Sequence, residues 1–262
     1  MIEFFWGYVK FVISAYFTVR ILKFLFILYK SFYIHCVRKE EDLSDLKDMW
    51  TVATGGTDGI GRAYINELAA SRGMRKFFLL GRNEQKLSNV KKEMEEKYPG
   101  CEVRYSIFDF EKDSLSTLPE ELKTMEVGIL CWILHASAHL VQMLELVFPG
   151  MVKRDKGVVI NVASMTGWRP FPYLSTYPSS KAAISFFSES MSDEFAGSNV
   201  KIQAVHVIGM HHLATGCWQH DVQIAFGTLI SAWLFKKIFV PTVMLGVHKQ
   251  RVADYHGKNK DQ

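Results

Sequence analysis

The chain has few cysteines and no strong net charge. Its 262 residues include only four cysteines, none in a C-x-x-C pair: Cys36, Cys101, Cys131 and Cys217. Their scarcity and scatter argue against a disulfide framework or a zinc site, and we interpret them as reduced, mostly buried thiols in a domain facing the cytosol. A formal net charge of +4, with no basic stripe, argues against nucleic-acid binding.

Internal repeats and low-complexity stretches are also absent. Hydrophobic residues make up 48% of the chain and charged residues 22%, which predicts a sizeable core rather than disorder. The length suits one large α/β domain. We place that central domain at residues 46–222, after an N-terminal anchor and linker at 1–45 and before a C-terminal membrane-associated segment and tail at 223–262.

The N-terminal segment from Phe4 to Tyr33 is apolar and rich in aromatic residues. Its stretch from Phe11 to Tyr29 is long enough to cross a bilayer, although Arg20 and Lys23 near the middle would each cost about 2.5–3.5 kcal/mol. No small-residue cleavage site follows, which favours a retained anchor. The basic pair at 38–39 places the rest of the chain in the cytosol by the positive-inside rule. A true span and an interfacial position both remain open.

A second apolar stretch runs from Ile224 to Val247 and is interrupted by two lysines and by Pro241. That interruption predicts a kinked or re-entrant pair of membrane-associated helices. The last five residues, Lys258 to Gln262, have the form K-x-K-x-x, which resembles a dilysine retrieval signal of the endoplasmic reticulum. We therefore expect the chain in the endoplasmic reticulum membrane, with its central domain facing the cytosol.

Strand and helix patterns alternate through the central domain, which predicts a doubly wound α/β fold with a parallel sheet covered on both faces. The expected strands are Trp50–Thr54, Lys76–Leu80, Val103–Phe108, Val127–Leu130, Val158–Val162 and Lys201–Val207. The expected helices are Gly59–Ser71, Asn83–Tyr98, Ala136–Lys153 and Thr176–Ala196.

A glycine-rich loop, T-G-G-T-D-G-I-G, joins the first strand to the first helix. Glycines let the backbone bend sharply and lie against a pyrophosphate, and the following helix presents free N–H groups to the anion. This strand–loop–helix context indicates a Rossmann-like dinucleotide site rather than an ordinary glycine-rich turn. The expected cofactor contacts in the loop are Thr54, Gly55, Thr57, Asp58, Gly59, Ile60 and Gly61.

The ends of the next two strands bear on the kind of dinucleotide. NAD-binding folds usually carry an acidic residue after the second strand, whereas this chain has Arg82. A guanidinium can pair with a 2′-phosphate, which favours NADP(H) over NAD(H). Asp109, just past the third strand, either touches the adenine ring or caps the end of the strand.

Three side chains form the expected catalytic group. Tyr177 and Lys181, in Y-P-S-S-K, are one helical turn apart on the same face. The ammonium would lower the pKa of the phenol and bring it closer to the operating pH. Lys181 can also hold the nicotinamide ribose, and both residues are expected cofactor contacts. Ser164 ends the fifth strand, 13 positions before Tyr177, where its hydroxyl can polarise a substrate carbonyl.

Together with the apolar N-terminus, F-P-G-M at 148–151 and N-V-A-S before Gly167, these motifs are similar to the short-chain dehydrogenase/reductase superfamily. The similarity extends over roughly Leu46 to Val207. Within the superfamily, the chain resembles the membrane-bound group of 17β-hydroxysteroid dehydrogenases and very-long-chain 3-oxoacyl-CoA reductases. This resemblance implies hydride transfer from NADPH to a ketone on a lipophilic substrate, with Tyr177 as proton donor, Ser164 as carbonyl polariser and Lys181 as activator of the tyrosine. It also leaves room for a homodimer.

Four bulky residues follow the catalytic serine. They either line an apolar substrate pocket or pack within their loop: Trp168, Phe171, Tyr173 and Leu174.

The sequence departs from the family pattern in two places. After the fourth strand, the usual Asn-Asn-Ala-Gly-like turn and short helix are missing, and the asparagine that organises a proton-relay water in the family aligns with Ala136. After the sixth strand, Val207 leads almost at once to Thr215, which is too short for a crossover to a parallel seventh strand. That last strand is either lost or pairs antiparallel at an edge. A shortened isoform or a mispredicted gene model would explain both gaps.

Four histidines cluster around the second gap, but no carboxylate pattern supports a metal site there: His206, His211, His212 and His220. Two functions follow from the sequence. The first is an NADPH-dependent ketone reductase, and the alternative is a catalytically impaired short isoform that acts as a membrane binding or scaffold protein.

Overall fold

The computed structural model describes residues 2–37, 42–114, 117–133, 137–168 and 175–207, with isolated positions at 229, 237 and 249. It divides into two compact units: residues 1–40, 171–174 and 214–262 form one, and residues 41–170 and 175–213 form the other. The domain boundaries expected at 45 and 222 stay predictions. Several predicted features lie outside the described residues: the basic pair 38–39, Ala136, the bulky residues Phe171, Tyr173 and Leu174, His211, His212, His220, Cys217, the C-terminal helices and the tail.

The first unit contains one long helix, α1, from Ile2 to Phe32, which continues as a π-helical turn over Tyr33–Val37. Its 31 residues extend about 46 Å at 1.5 Å per residue. Most of its large apolar side chains are exposed within the described structure, and the helix is long and apolar enough to cross a membrane. Arg20 Nη2 donates a hydrogen bond to Tyr16 Oη at 3.0 Å, with its guanidinium 5.1 Å from the ring centre.

The second unit is built on a six-stranded, all-parallel sheet in the order β3-β2-β1-β4-β5-β6. The strands are β1 Trp50–Thr54, β2 Lys76–Gly81, β3 Glu102–Ile107, β4 Val127–Trp132, β5 Gly157–Ser164 and β6 Val200–Val207. The helices of this unit are α2 Gly59–Ala70, α3 Glu84–Lys97, α4 Glu121–Thr124, α5 Ser137–Lys153 and α6 Thr176–Glu194. The expected doubly wound, Rossmann-like α/β fold is confirmed.

Two strands extend two residues beyond their predicted carboxyl ends, and the other strand limits that differ from the prediction shift by one residue. β4 continues past Leu130 because Cys131 and Trp132 still pair with neighbouring strands, at Ala53 and Asn161 respectively. β5 likewise extends to Ser164, which pairs with Val207 of β6. Backbone pairing carries both strands beyond the apolar run that marks them in the sequence. Within the described residues, β6 is an edge strand.

The core consists of two layers, one on each face of the sheet. Successive residues of β2 alternate between them: Phe77 and Leu79 pack with Ile65 of α2, whereas Phe78 and Leu80 pack on the opposite face. Side chains alternate along a strand, so a strand covered on both faces needs apolar residues at every position. This burial explains the uninterrupted apolar segments in the sequence.

The cysteines are less buried than the sequence suggested. Of the three that the structure describes, all are free thiols, but only Cys131 is buried, while Cys101 is half-buried and Cys36 is exposed. The prediction of mostly buried thiols therefore holds for Cys131 but is wrong for Cys36 and Cys101, because these two lie outside the sheet strands that form the core.

Strand order also fixes where a ligand can bind. β1 lies between β2 and β4. From β1 the chain adds β2 and β3 towards one edge of the sheet, and it then returns to the other side of β1 to add β4, β5 and β6. In open parallel sheets the ligand crevice lies beyond the carboxyl ends of the strands at this switch point. Here those ends are Thr54 and Trp132.

Candidate active site

The glycine-rich loop has the backbone that a phosphate cradle requires. Gly55 and Gly59 have φ values of 66° and 55°, a region that other residues rarely adopt. A Cβ on Gly61 would lie 2.2 Å from the carbonyl oxygen of Gly55 and 2.8 Å from Ile133 Cδ1. Only glycine therefore lets α2 begin this close to the loop. Thr57 and Ile60 are half-buried in the loop, while Asp58 and Gly59 are exposed.

Thr54, at the end of β1, uses its side chain within the sheet. Its hydroxyl donates a hydrogen bond to the carbonyl oxygen of Cys131 at 3.5 Å and accepts one from the N–H of Ile133 at 3.1 Å. Thr54 is fully buried. These bonds tie β1 to β4 directly below the switch point, so the side chain stabilises the floor of the crevice.

Asp58 is at the N-cap position of α2, but its side chain makes no capping hydrogen bond. Its carboxylate instead pairs with Lys86 Nζ at 2.5 Å. Lys86 lies in the first turn of α3, so this ion pair joins the glycine loop to the turn after β2. Lys86 is not among the site residues predicted from the sequence, although a second cation four residues after Arg82 is a usable signal.

Arg82 and Asp109 lie at the ends of β2 and β3. Arg82 is exposed, and the next residue, Asn83, caps α3 by accepting a hydrogen bond from the N–H of Lys86 at 2.9 Å. Asp109 Oδ1 accepts a hydrogen bond from the N–H of Glu111 at 3.0 Å. This turn contact caps the end of the strand, and contact of Asp109 with an adenine ring stays a prediction.

Ser164 ends β5 and is 4% exposed. Its hydroxyl oxygen accepts two hydrogen bonds from Thr166, one from the backbone N–H at 3.2 Å and one from the side-chain hydroxyl at 3.0 Å. Thr166 belongs to a 3-10 turn, Met165–Trp168, called the catalytic turn below. Sequence reasoning missed Thr166, because a threonine in a loop carries no distinctive motif.

Tyr177 and Lys181 lie in the first two turns of α6. Tyr177 is half-buried, and Pro178 follows it in the first turn, where a missing N–H breaks no helical hydrogen bond. Lys181 is only 2% exposed. Its Nζ donates a hydrogen bond to the carbonyl oxygen of Val162 at 2.6 Å, which brings the amine to β5, two residues before Ser164.

Burial changes the acid–base behaviour of Lys181. Removal from water disfavours the ammonium form and lowers the pKa of Lys181 to about 8. The amine therefore titrates just above neutral pH and not near its usual 10.5. Such a shift is typical of functional sites but also occurs in structural ones.

The catalytic turn packs closely against the backbone of α6. A Cβ on Gly167 would lie 2.7 Å from the backbone nitrogen of Ala182 and 2.9 Å from the carbonyl carbon of Lys181. Only a glycine allows the turn that carries Thr166 to lie against the helix that carries Lys181.

A buried amide anchors the middle of α6 to the sheet. Asn161 Nδ2 donates a hydrogen bond to Ser188 Oγ at 2.9 Å, and that hydroxyl donates in turn to the carbonyl oxygen of Ile184 at 2.7 Å. Asn161 and Ser188 are both at most 1% exposed. Because Asn161 precedes Ser164 on β5, this contact fixes the register between the strand and the catalytic helix.

A groove of about 430 Å³ runs between α6 and β6. His206 lies in it and shares a hydrogen bond with Ser185 Oγ at 2.9 Å; burial lowers the pKa of this histidine. Gly167 and Ala182 line the end of the groove nearest the catalytic turn. Among the described residues, no cluster of three or more His, Cys, Asp or Glu side chains could hold a metal ion.

The fold and these side chains define a dinucleotide-binding oxidoreductase of the α/β class. Residues 50–145 match the KR domain family and residues 135–216 match the short chain dehydrogenase family. A rat very-long-chain 3-oxoacyl-CoA reductase is 32% identical over 220 residues, which cover 73% of this chain and 68% of that protein. The chain therefore belongs to the short-chain dehydrogenase/reductase family.

Of two other relatives, one is much longer than this chain and one is named as inactive. A Caenorhabditis elegans protein named as the uncharacterized oxidoreductase dhs-27 is 45% identical over 63% of this chain, but the chain spans only 23% of its length. The human inactive hydroxysteroid dehydrogenase-like protein 1 is 28% identical, with 85% of this chain and 86% of that protein covered.

Among solved structures, a short-chain dehydrogenase from Sphingobium yanoikuyae in complex with NADPH has a TM-score of 0.56. It is 21% identical in sequence, and the match covers 68% of this chain and 83% of that one. This likeness supports the fold.

Proposed function

We propose that this oxidoreductase uses NADPH to reduce a ketone on a lipophilic substrate, either a 3-oxoacyl-CoA of fatty acid elongation or a steroid. The observation that carries the proposal is the position of Lys181. Its buried amine bonds to β5 beside Ser164 and shares a helix face with Tyr177. In this proposal β5 provides the carbonyl polariser, Ser164, and α6 provides the proton donor, Tyr177, and the cation, Lys181.

The residues of the glycine loop fit a dinucleotide. The positive φ angles of Gly55 and Gly59 and the space that a Cβ would fill at Gly61 form a backbone cradle, and the N-terminus of α2 presents N–H groups to a phosphate. Bound NADPH would supply the hydride. Arg82 is exposed at the end of β2, where it can pair with a 2′-phosphate; on this basis we assign NADP(H) over NAD(H).

Each catalytic side chain has a distinct task in this proposal. The hydroxyl of Ser164 donates a hydrogen bond to the carbonyl oxygen and stabilises the negative charge that develops there. The hydroxyl of Tyr177 gives its proton to the same oxygen as the alcohol forms. Lys181, when protonated, stabilises the phenolate that remains. The overall reaction consumes one ketone, one NADPH and one proton and yields one alcohol and one NADP⁺.

The substrate class rests on the relatives. The rat relative is named for 3-oxoacyl-CoA reduction, and another similar protein, from chicken, is named as hydroxysteroid dehydrogenase-like. Both names point to an apolar ketone. An apolar substrate also suits an enzyme that is attached to a membrane.

The test combines cofactor binding with turnover in the full-length chain in detergent or lipid. NADPH binding is followed by fluorescence titration, and reduction is assayed on a panel of acyl-CoA and steroid ketones. Tyr177→Phe should still bind NADPH but lose at least about 100-fold in turnover, since it lacks the proton donor. Tyr105→Phe, on β3 and away from the catalytic helix, is the matched control and should keep full activity.

Absence of NADPH binding would remove the reductase proposal. Binding with turnover that does not depend on Tyr177 would favour the second candidate, a membrane binding or scaffold protein that retains the fold. The name of the human inactive relative is the specific observation in favour of that candidate. Because the sequence lacks the family asparagine at Ala136, we expect turnover well below that of a relative with the complete motif.

We further propose that α1 attaches the chain to the endoplasmic reticulum membrane with the second unit in the cytosol. The apolar exposed surface of α1 supports attachment, and the contact between Arg20 and Tyr16 lowers the cost of a cation near its middle. In liposome flotation, the full chain should float with the lipid, and a variant that lacks residues 2–37 should float markedly less, because it retains only the attachment predicted for residues 223–262. Equal flotation of the two forms would contradict attachment through α1. A homodimer stays a prediction, which sedimentation in detergent would check.

A further inference from the structure

We propose that Thr166 is a positioning residue for the catalytic serine: by donating two hydrogen bonds to Ser164 Oγ, it holds that oxygen as an acceptor and directs the serine proton away from the catalytic turn. The inference rests on the proposed reductase function for its catalytic consequence. Its structural part concerns only the orientation of Ser164.

The geometry comes from two different groups of Thr166. The backbone N–H lies 3.2 Å from Ser164 Oγ, and the threonine hydroxyl lies 3.0 Å from the same atom. A backbone N–H can only donate, so one acceptor site of the serine oxygen is occupied by Thr166 whatever the hydroxyl does. The side-chain bond occupies the second.

A serine hydroxyl has two acceptor lone pairs and one proton. With both lone pairs engaged by Thr166, its proton cannot point toward the catalytic turn. That orientation suits a group that must donate to a carbonyl oxygen, because a polarising donor acts only when its proton points at the developing charge. A serine without this support could rotate to accept from a neighbour or to donate to the backbone.

The catalytic turn is itself fixed in place. Gly167, next to Thr166, lies against the backbone of α6 at Lys181 and Ala182, where a side chain of any size would collide. Thr166 is thus attached to a segment that cannot shift without moving the catalytic helix. A rigid support of this kind keeps a hydrogen-bonding group in productive geometry.

The experiment compares Thr166→Val, which keeps the size and the backbone N–H but removes the hydroxyl, with Thr166→Ser, which keeps the hydroxyl. In the full-length chain, Thr166→Val should lower kcat about 10-fold, the effect expected for one neutral hydrogen bond. KM for NADPH and the NADPH dissociation constant should stay within about 2-fold. Thr166→Ser should restore kcat to within about 2-fold of the unaltered chain. A merely structural role would not separate kcat from cofactor affinity in this way.

Crystal structures of the same variants test the orientation without any turnover. Ser164 should have one side-chain rotamer in the unaltered chain and in Thr166→Ser, and a second populated rotamer in Thr166→Val. An unchanged single rotamer in Thr166→Val, or an unchanged kcat in an active enzyme, would overturn the inference. If the unaltered chain had no turnover but Ser164 still adopted a second rotamer in Thr166→Val, the reductase function would be wrong and the positioning role would be supported.

Discussion

The two halves of the sheet prepare their parts of the site by different physical means. On the β1–β3 side, the phosphate cradle is made of backbone, namely glycines with positive φ and a helix N-terminus. Exposed charged side chains such as Arg82 and Lys86 surround this cradle. On the β4–β6 side, the catalytic group is made of buried polar side chains held by hydrogen bonds, notably Ser164 and Lys181. We call these the nucleotide half and the catalytic half.

Because the two halves are held by different interactions, each can be impaired without the other. Exposed charges are screened by salt and tolerate local change, so the nucleotide half should respond to ionic strength. Buried polar groups are costly when their partners are lost, and a buried amine shifts its pKa, so the catalytic half should respond to pH and to small changes in packing.

The largest effects are expected from two glycine substitutions. Gly61→Ala places a Cβ 2.2 Å from the carbonyl oxygen of Gly55, and Gly167→Ala places one 2.7 Å from the backbone nitrogen of Ala182. Such overpacking costs about 1–3 kcal/mol or more. Gly61→Ala should weaken NADPH binding up to about 100-fold, whereas Gly167→Ala should lower kcat by a similar factor and change NADPH affinity much less.

Gly197→Ala is the control, since a Cβ there meets nothing within 4 Å. Fluorescence titration and steady-state kinetics on folded protein, checked by circular dichroism, provide the measurement. If both substitutions impaired binding and turnover to the same extent, the separation between the halves would be wrong.

A pH effect on stability should follow from Lys181. Its folded pKa of about 8 lies below its usual 10.5, so the unfolded chain binds more protons between these values and stability due to this group rises with pH through that window. Relative to Lys181→Met, the free energy of unfolding should increase by on the order of 3 kcal/mol from pH 7 to 10.5. Denaturant unfolding of both proteins at several pH values measures the difference.

Two other groups oppose that rise in absolute terms. Burial raises the pKa of both Tyr64 and Cys131 to about 12, which destabilises the fold at high pH because the unfolded chain ionises first. Both residues are present in the two proteins compared, so their contributions cancel. A difference that stays flat with pH would show that Lys181 is not desolvated.

A smaller effect should follow from Arg82. Arg82→Ala removes a charge-assisted contact to a 2′-phosphate, so the dissociation constant for NADPH should rise about 20-fold, while that for NADH changes by less than about 2-fold. Raising the salt concentration should reduce the difference in NADPH affinity between Arg82→Ala and the unaltered chain. Arg82→Lys should have an NADPH dissociation constant between those of the unaltered chain and Arg82→Ala, because lysine keeps the charge but cannot form a bidentate pair. Equal losses of affinity for NADPH and NADH in Arg82→Ala would contradict the assignment of NADP(H).

The smallest effect concerns the ion pair between Asp58 and Lys86. Their side chains are 69% and 54% exposed, so the pair itself contributes little to stability. Asp58→Asn removes a negative charge beside the phosphate cradle and releases Lys86, which should tighten NADPH binding about 3-fold at low salt. Glu96→Gln, which breaks the exposed pair with Lys92 on the same helix, should leave binding unchanged. Weaker binding in Asp58→Asn would mean that the carboxylate supports the loop.

The order of strands and helices could be predicted from the sequence because each element carries a local signal. β1 was predicted at its observed limits, Trp50–Thr54, since its short apolar run ends at the glycine loop. α3 lies just inside the predicted Asn83–Tyr98, with these two residues as its caps. The short helix α4 was missed because its four residues are too few for periodicity to show.

Side-chain partners could not be predicted, because they depend on residues far apart in the chain. The pairing of Asp58 with Lys86 joins positions 28 residues apart, and the bond from Asn161 to Ser188 joins positions 27 apart. The support of Ser164 by Thr166 is local, but it depends on a turn held against α6.

The alternating α/β fold, the glycine loop and the spacing of serine, tyrosine and lysine can be predicted from the amino-acid sequence, because backbone preference and hydrophobic period act over neighbouring residues. Packing in three dimensions is what buries Lys181 and lowers its pKa, bonds Thr54 to β4, and brings Thr166 to the serine oxygen. Desolvation and hydrogen-bond geometry arise from packing between segments, and no local pattern in the chain encodes them.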